Sequence, residues 1–302
     1  MLRTVSPNNG EFSRRLFLGG ALGLALAAAG CSREPAPEAP GEPATLASRT
    51  ATIPFYIAHR GGGDNWPEMT AYAYEQAAAL PGLQAIEISV CLTKDDVLVC
   101  SHDATTERVT GVDYTISEQP WSALESLMVT SAFTVDPTQP ARPFTRFDDV
   151  ISKYIDRLVV FVEPKTPQAV EPLMAAMVAL GEPSRTVWKQ PINQPNFSKA
   201  KSHGFTTWGY VLNERGHLGD RLKMFAADRN IDALGAQRSQ PDALIKQVVA
   251  AAKENDKKTI MWNIRSAEDR ARALGLGCEG MMTSNIAQVP AIPLSGAADT
   301  PK

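Results

Sequence analysis

Between Ile57 and Lys165 the chain gathers residue types suited to acid–base work on a phosphate. The set is His59-Arg60 with Gly61-Gly62-Gly63, Pro67-Glu68, Glu87-Ile88-Ser89, Ser101-His102-Asp103 and Glu163-Pro164-Lys165. Two of the four histidines in the chain fall inside it. A histidine pair can divide general base and general acid between them, because imidazole titrates near working pH and burial can separate the two values. Arg60 can meet phosphoryl oxygens with a planar fork and Lys165 as a point charge. Glu87 and Glu163 are hard oxygen ligands of the kind that hold calcium or magnesium. An ion there would stabilise charge developing on a phosphate diester. The chemistry these types share is metal-assisted phosphodiester cleavage. Taken singly, each residue has a plainer reading: a hydrogen-bonded structural histidine, a surface Glu163–Lys165 pair, glycines in an ordinary tight turn.

The elements that must position these residues follow from the apolar pattern. Short β-rich runs predict strands near 55–58, 85–90, 158–163, 186–189, 207–212, 233–236, 259–262 and 280–283. Helical spacing predicts helices over 67–80, 147–154, 168–180, 194–202, 219–228, 241–255, 267–274 and 286–290. Pro67 and Pro241 stand at or near first helical positions, and Ser266 with Asp269 forms a weak capping box. Strand and helix alternating eight times predict an α/β fold, a TIM (β/α)8 barrel, with an open doubly wound sheet as the main alternative. The stretch from Ala104 to Thr145, broken by Gly111, Pro120, Pro137, Pro140 and Pro143, is too irregular for one crossover helix. It reads as an insertion after the second strand, lying over the barrel mouth.

In such a barrel the site lies at the C-terminal ends of the strands. His59-Arg60, Glu87 with Ser89, and Glu163 with Lys165 all fall at predicted strand ends. Trp188, Trp208 and Trp262 also lie near strand ends, where they offer an apolar or cation–π surface, although ordinary packing is the plainer explanation of any one of them. If Asp95-Asp96 is a two-residue hairpin turn, Cys91 faces Cys100 and Ser89 faces His102. The two cysteines then form either a disulfide or two small buried thiols.

The remaining chain sets the compartment and the partners. Ser13-Arg14-Arg15 precedes an apolar, Ala/Gly/Leu-rich run from Leu16 to Gly30, the pattern of a twin-arginine export signal. Ala28-Ala29-Gly30-Cys31 resembles a bacterial lipoprotein cleavage and acylation site, which makes Cys31 the expected lipidation position. Residues 31–52, rich in Pro, Glu, Ala and Ser, read as a tether; residues 53–293 are the globular domain and 294–302 a tail. These features predict an exported cell-envelope lipoprotein on the outer side of the cytoplasmic membrane, anchored through its lipid. Acidic residues slightly exceed basic ones, 33 against 30, and no basic run with interleaved aromatics occurs. Nucleic acid is therefore not an expected partner.

The residues quoted above resemble the glycerophosphodiester phosphodiesterase family. The resemblance runs from Ile57-Ala58-His59-Arg60-Gly61 through Pro67-Glu68-Met69-Thr70, Ile86-Glu87-Ile88-Ser89, Leu92 to Asp96 and Ser101-His102-Asp103 to Val162-Glu163-Pro164-Lys165, and more weakly to Met261-Trp262-Asn263 and Met281 to Ser284. It implies His59 and His102 as the acid/base pair, Arg60 and Lys165 as phosphate contacts, and Glu87 and Glu163 as ligands of a divalent cation, calcium or magnesium. The implied substrates are deacylated phospholipids cleaved to glycerol phosphate and an alcohol; some relatives act on lysophospholipids or sphingomyelin. Four positions depart from the pattern. Ser89 stands where the family has a metal-binding aspartate, Met69 and Arg265 where asparagine is usual, and Ser284 where aspartate is usual. Three readings remain: an enzyme with altered ion coordination, an enzyme of the lysophospholipase D or sphingomyelinase D type, and a lipoprotein that binds a phosphodiester or an envelope partner without turnover.

Overall fold

A computed structural model of the chain describes residues 54–212 and 219–291. The leader, Cys31, the tether and the tail lie outside the described residues. Eleven strands are described: β1 Phe55–Ala58, β2 Ala85–Leu92, β3 Leu98–Cys100, β4 Met128–Val129, β5 Arg142–Pro143, β6 Val159–Pro164, β7 Thr186–Pro191, β8 Thr206–Tyr210, β9 Ala233–Gln237, β10 Lys258–Ile264 and β11 Gly280–Thr283. Eight of them, all parallel, run round in the order β1-β11-β10-β9-β8-β7-β6-β2, and pairing of β1 with β2 closes the ring. This is the TIM barrel that the alternation predicts.

Period-2 alternation divides the side chains of each strand between two cores. Phe55, Ile57, Phe161, Val187, Trp208 and Ile260 belong to a cluster made of strand residues alone, which fills the inside of the barrel. Residues of the other parity, such as Tyr56, Ile88, Val162, Trp188 and Met261, join helix residues in the larger cluster outside it. Trp208 fills the interior because Gly235, opposite Tyr210 on β9, leaves room for it: a Cβ there would come within 2.5 Å of the indole. Phe161 and Trp262 each meet the Trp208 ring edge-on with centroids 5.9 Å apart. Such pairs contribute about 0.5–1.5 kcal/mol beyond burial.

Helices Phe147–Tyr154, Asp242–Lys253 and Ala267–Gly275 lie close to their predicted bounds, and Ser266 Oγ accepts from the Asp269 amide as the capping box requires. Three helices depart from expectation; the one expected over 194–202 begins only at Phe197. That expected over 67–80 begins at Ala71 instead of Pro67, because Thr70 is the cap: its hydroxyl accepts from the Ala73 amide, and Met69 before it has φ +61°. Residues 286–290 form a turn, not a helix.

The β2–β3 hairpin is one residue out of the expected register. Thr93 and Val97 exchange hydrogen bonds around a three-residue loop whose last residue, Asp96, takes φ +61°. An αL residue at that place is the usual closure of such a loop, and aspartate tolerates it. Cys91 therefore pairs with Val99 and Val90 with Cys100, which turns the two cysteines to opposite faces. Both are free thiols. Ser89 meets Ser101, whose amide donates to its carbonyl, rather than His102.

The predicted insertion carries two one-turn helices, the β4–β5 ribbon and an apolar cluster of its own, including Val109, Ile116, Leu124 and Phe144. It borders the loop after β1: the Val135 amide donates to the Asp64 carbonyl, and Gln139 Nε2 donates to the Asn65 carbonyl.

Candidate active site

The inward-facing parity that carries Phe55 and Ile57 on β1 brings His59 to the mouth of the barrel. The same rule places Glu87 and Ser89 above Ala85, Glu163 above Phe161, and Lys189 above Val187. His59, Arg60, His102, Glu163, Lys165, Lys189, Tyr210, Trp262 and Asn263 line one cavity of about 360 Å³. Six of the residues expected from sequence thus meet there: both histidines, Arg60, Lys165, Glu163 and Trp262. Glu87 lies immediately behind, fully buried, one contact away through Lys189. Trp188 is not brought to the cavity, since its parity sends it to the outer core, where its Nε1 donates to Gln190. Trp208 lies in the apolar interior, sealed from solvent beneath Tyr210 and Trp262.

Arg60 takes φ +55°, a conformation costly for a residue with a Cβ. The turn is held because its amide donates to Glu87 Oε2 at 2.9 Å. Its guanidinium reaches Glu68 at 3.2 Å, and Glu68 also accepts from Arg108 of the insertion at 2.5 Å. Arg108 Nε in turn donates to Asp103.

The two histidines are fixed differently. Asp103 Oδ1 lies 2.7 Å from His102 Nδ1, while Lys165 Nζ lies 3.4 Å from His102 Nε2. The carboxylate accepts and the ammonium donates, so Nδ1 carries the ring hydrogen and Nε2 presents a lone pair. Burial lowers the pKa of His102 although the Asp103 hydrogen bond opposes it. His59 Nδ1 lies 2.7 Å from Ser284 Oγ, which also receives the Asn263 side-chain amide at 3.3 Å. The assignment that uses the serine hydrogen has Ser284 donate to Nδ1, leaving the hydrogen on Nε2 of His59. Burial, followed by the charge of Arg60, holds His59 well below its ordinary value.

Sequence reasoning missed Lys189. Its ammonium lies 2.8 Å from Glu87 Oε1 and 2.5 Å from Glu163 Oε2, with all three side chains almost wholly buried. Burial alone would raise both carboxyls, but Lys189 overcomes it and brings each down to about 2, helped by Arg60 at Glu87 and by Lys165 at Glu163. Ser89 Oγ donates to Glu87 Oε1 at 3.0 Å; Tyr210 and Lys165 donate to Glu163 Oε1 at 2.7 and 3.1 Å. The signal was present: a lysine two residues beyond Val187 in an apolar strand must face inward. Tyr210 and Arg108 were likewise not singled out, and Asp103 was grouped with His102 without a role of its own.

This donor set does not suit a divalent cation. Three of the four carboxylate oxygens of Glu87 and Glu163 accept hydrogen bonds from the chain, Glu163 Oε2 lies 2.5 Å from the Lys189 ammonium, the third ligand position is the uncharged Ser89, and that ammonium stands between the two carboxylates. A cation about 4 Å from another unit charge meets a repulsion on the order of 4 kcal/mol per charge at an effective dielectric near 20.

The sequence profile of the glycerophosphoryl diester phosphodiesterase family matches residues 59–288. The chain belongs to that family. It is 32% identical over 121 residues to a glycerophosphodiester phosphodiesterase of Arabidopsis thaliana, a match covering 38% of this chain and 32% of the plant protein. It is 36% identical over 69 residues to a lysophospholipase D of Rattus norvegicus, covering 23% of this chain and 22% of that protein. The matches thus span a third or less of these curated relatives. Among solved structures, the Oleispira antarctica phosphodiesterase in complex with the product sn-glycerol-3-phosphate superposes with a TM-score of 0.60 at 22% identity, over 77% of this chain and 94% of that one. That likeness shows the shared barrel fold.

Proposed function

We propose that the protein hydrolyses a glycerophosphodiester, or a related phospholipid-derived diester, to a phosphate monoester and an alcohol. The observation that carries the proposal is the meeting of His59, His102, Arg60 and Lys165 around one cavity at the C-terminal mouth of a barrel of this family. A diester carries one negative charge, and the mouth offers two cationic side chains for its oxygens. His102, with Nε2 as the acceptor, is suited to take a proton from the attacking water. His59 directs its Nε2 hydrogen toward the departing oxygen, and it would act as general acid from the imidazolium form, with Ser284 Oγ then accepting from Nδ1. Asp103 and Ser284 act as positioning residues, because each fixes the tautomer its histidine needs.

Trp262 and Tyr210, with ring centroids 5.0 Å apart on the cavity wall, offer an apolar surface for the alcohol or for a glyceryl chain. That wall favours, as a second reading, a lysophospholipid substrate of the kind named for the rat relative. Export and the Cys31 anchor complete the proposal from sequence alone. Metabolic labelling with a fatty acid that fails in Cys31→Ala would test the anchor.

Phosphorus-31 NMR on the full chain incubated with glycerophosphocholine, glycerophosphoethanolamine or lysophosphatidylcholine tests the activity. Conversion to a phosphate monoester that fails in His59→Ala and His102→Ala is the expected result. Absence of conversion of every diester would leave only the binding-protein reading.

A further inference from the structure

Lys189 holds the position that the family resemblance gives to a metal ion. Its ammonium has three donors; one is hydrogen-bonded to Glu87 Oε1, and the ion pair with Glu163 Oε2 directs a second. Lys189 also lines the cavity shared with both histidines, so one donor is left for a bound ligand. Three of the four carboxylate oxygens accept hydrogen bonds from the chain, and the fourth, Glu163 Oε2, has only its 2.5 Å ion-pair contact with the Lys189 ammonium. Glu87 Oε1 takes Lys189 and Ser89, Oε2 takes the Arg60 amide, Glu163 Oε1 takes Lys165 and Tyr210, and Oε2 takes Lys189.

The charges are also consistent. Three carboxylates around a divalent ion, the arrangement implied by the family pattern, carry a net charge of about −1. Two carboxylates around an ammonium carry the same. Aspartate replaced by Ser89 and an inward lysine at position 189 are therefore one coupled change: the first alone would weaken ion binding, and the second alone would oppose the ion by like charge.

We infer that Lys189 is the resident cation of this site, replacing the divalent ion, and that its remaining N–H faces a phosphoryl oxygen of the substrate. The inference rests on the phosphodiesterase reading only for the identity of the substrate. The ammonium is covalently part of the chain, so it is present at any concentration of free calcium or magnesium.

The test uses the full chain stripped with chelator, with calcium and magnesium titrated by calorimetry and by thermal melting, alongside glycerophosphocholine turnover. Expected results are no saturable binding and no rise in melting temperature up to about 5 mM ion, with turnover changing less than about twofold between chelator and added ion. Ser89→Asp combined with Lys189→Ser should bind calcium and melt higher in its presence. Lys189→Arg, which keeps the charge, should stay insensitive to calcium, separating loss of charge from loss of fold. Saturable binding of either ion to the unaltered chain, with a raised melting temperature, overturns the inference. If no diester is turned over but the binding results come out as expected, the phosphodiesterase reading fails and the resident lysine stands.

Discussion

Two layers of the same barrel wall differ by only two residues along each strand. In the lower layer Ala85, Phe161 and Val187 face one another in an apolar interior closed by Trp208. In the layer above, the same parity presents Glu87, Glu163 and Lys189, equally buried. Burial is uniform, and only the means of satisfying it changes. The lower layer fills space, whereas the upper one must balance charge and complete hydrogen bonds, because an unpaired ion there would cost several kcal/mol. A barrel wall can thus carry chemistry at full burial provided the polar residues arrive as a set.

Substitutions should separate the two layers. The largest loss expected is catalytic: His59→Ala and His102→Ala should each lower turnover roughly 10²–10⁴-fold with little change in the unfolding midpoint, whereas Phe161→Ala should lower the midpoint. For stability, Lys189→Ala and Phe161→Ala should each cost about 3–5 kcal/mol in urea unfolding, by different routes. Lys189→Met joined to Glu87→Gln and Glu163→Gln should recover most of the first loss, since no buried charge is then left alone. Equal losses in the single and triple variants would show that the upper layer, too, is held by packing.

The pH dependence should come in two stages and belong to the upper layer. The neutral folded forms of His59 and His102 bind fewer protons than their unfolded forms, so stability should begin to fall below about pH 6.5. Glu87 and Glu163, brought down to about 2 in the fold, hold stability that is present above about pH 4.5 and lost as pH falls toward 2. Unfolding midpoints from pH 8 to about pH 3 should show both stages. The charge-free triple variant should lose the second, while the histidine stage persists. The smallest effect is expected on the outside of the barrel. Lys199 pairs with Glu171 through the same two groups in solvent, and Lys199→Ala should change stability by less than about 1 kcal/mol.

How far these layers were legible in the sequence depended on the distance over which each was determined. Strands, closure and the inward parity of His59, Glu87 and Glu163 are local, and they follow from periodicity. The hairpin register was missed because it turns on a single backbone conformation at Asp96, and the slip moved Cys91 away from Cys100. Thr70 was missed as a cap because Pro67 offered an earlier start. Trp188 was assigned to the pocket by its closeness to a strand end, although its parity, readable from Val187 and Lys189, sends it outward. Lys189 is the instructive omission. Its inward position was readable, but its role appears only when β2, β6 and β7 are brought side by side, over 102 residues of sequence separation from Glu87.

A crystal structure of the full chain with sn-glycerol 3-phosphate bound in the presence of calcium would test the site most directly. The account predicts the phosphate against Arg60, Lys165 and Lys189, between the two imidazoles, with Lys189 still on Glu87 and Glu163. A phosphate bound elsewhere, or a calcium ion on Glu87 and Glu163 with Lys189 turned away, would contradict it.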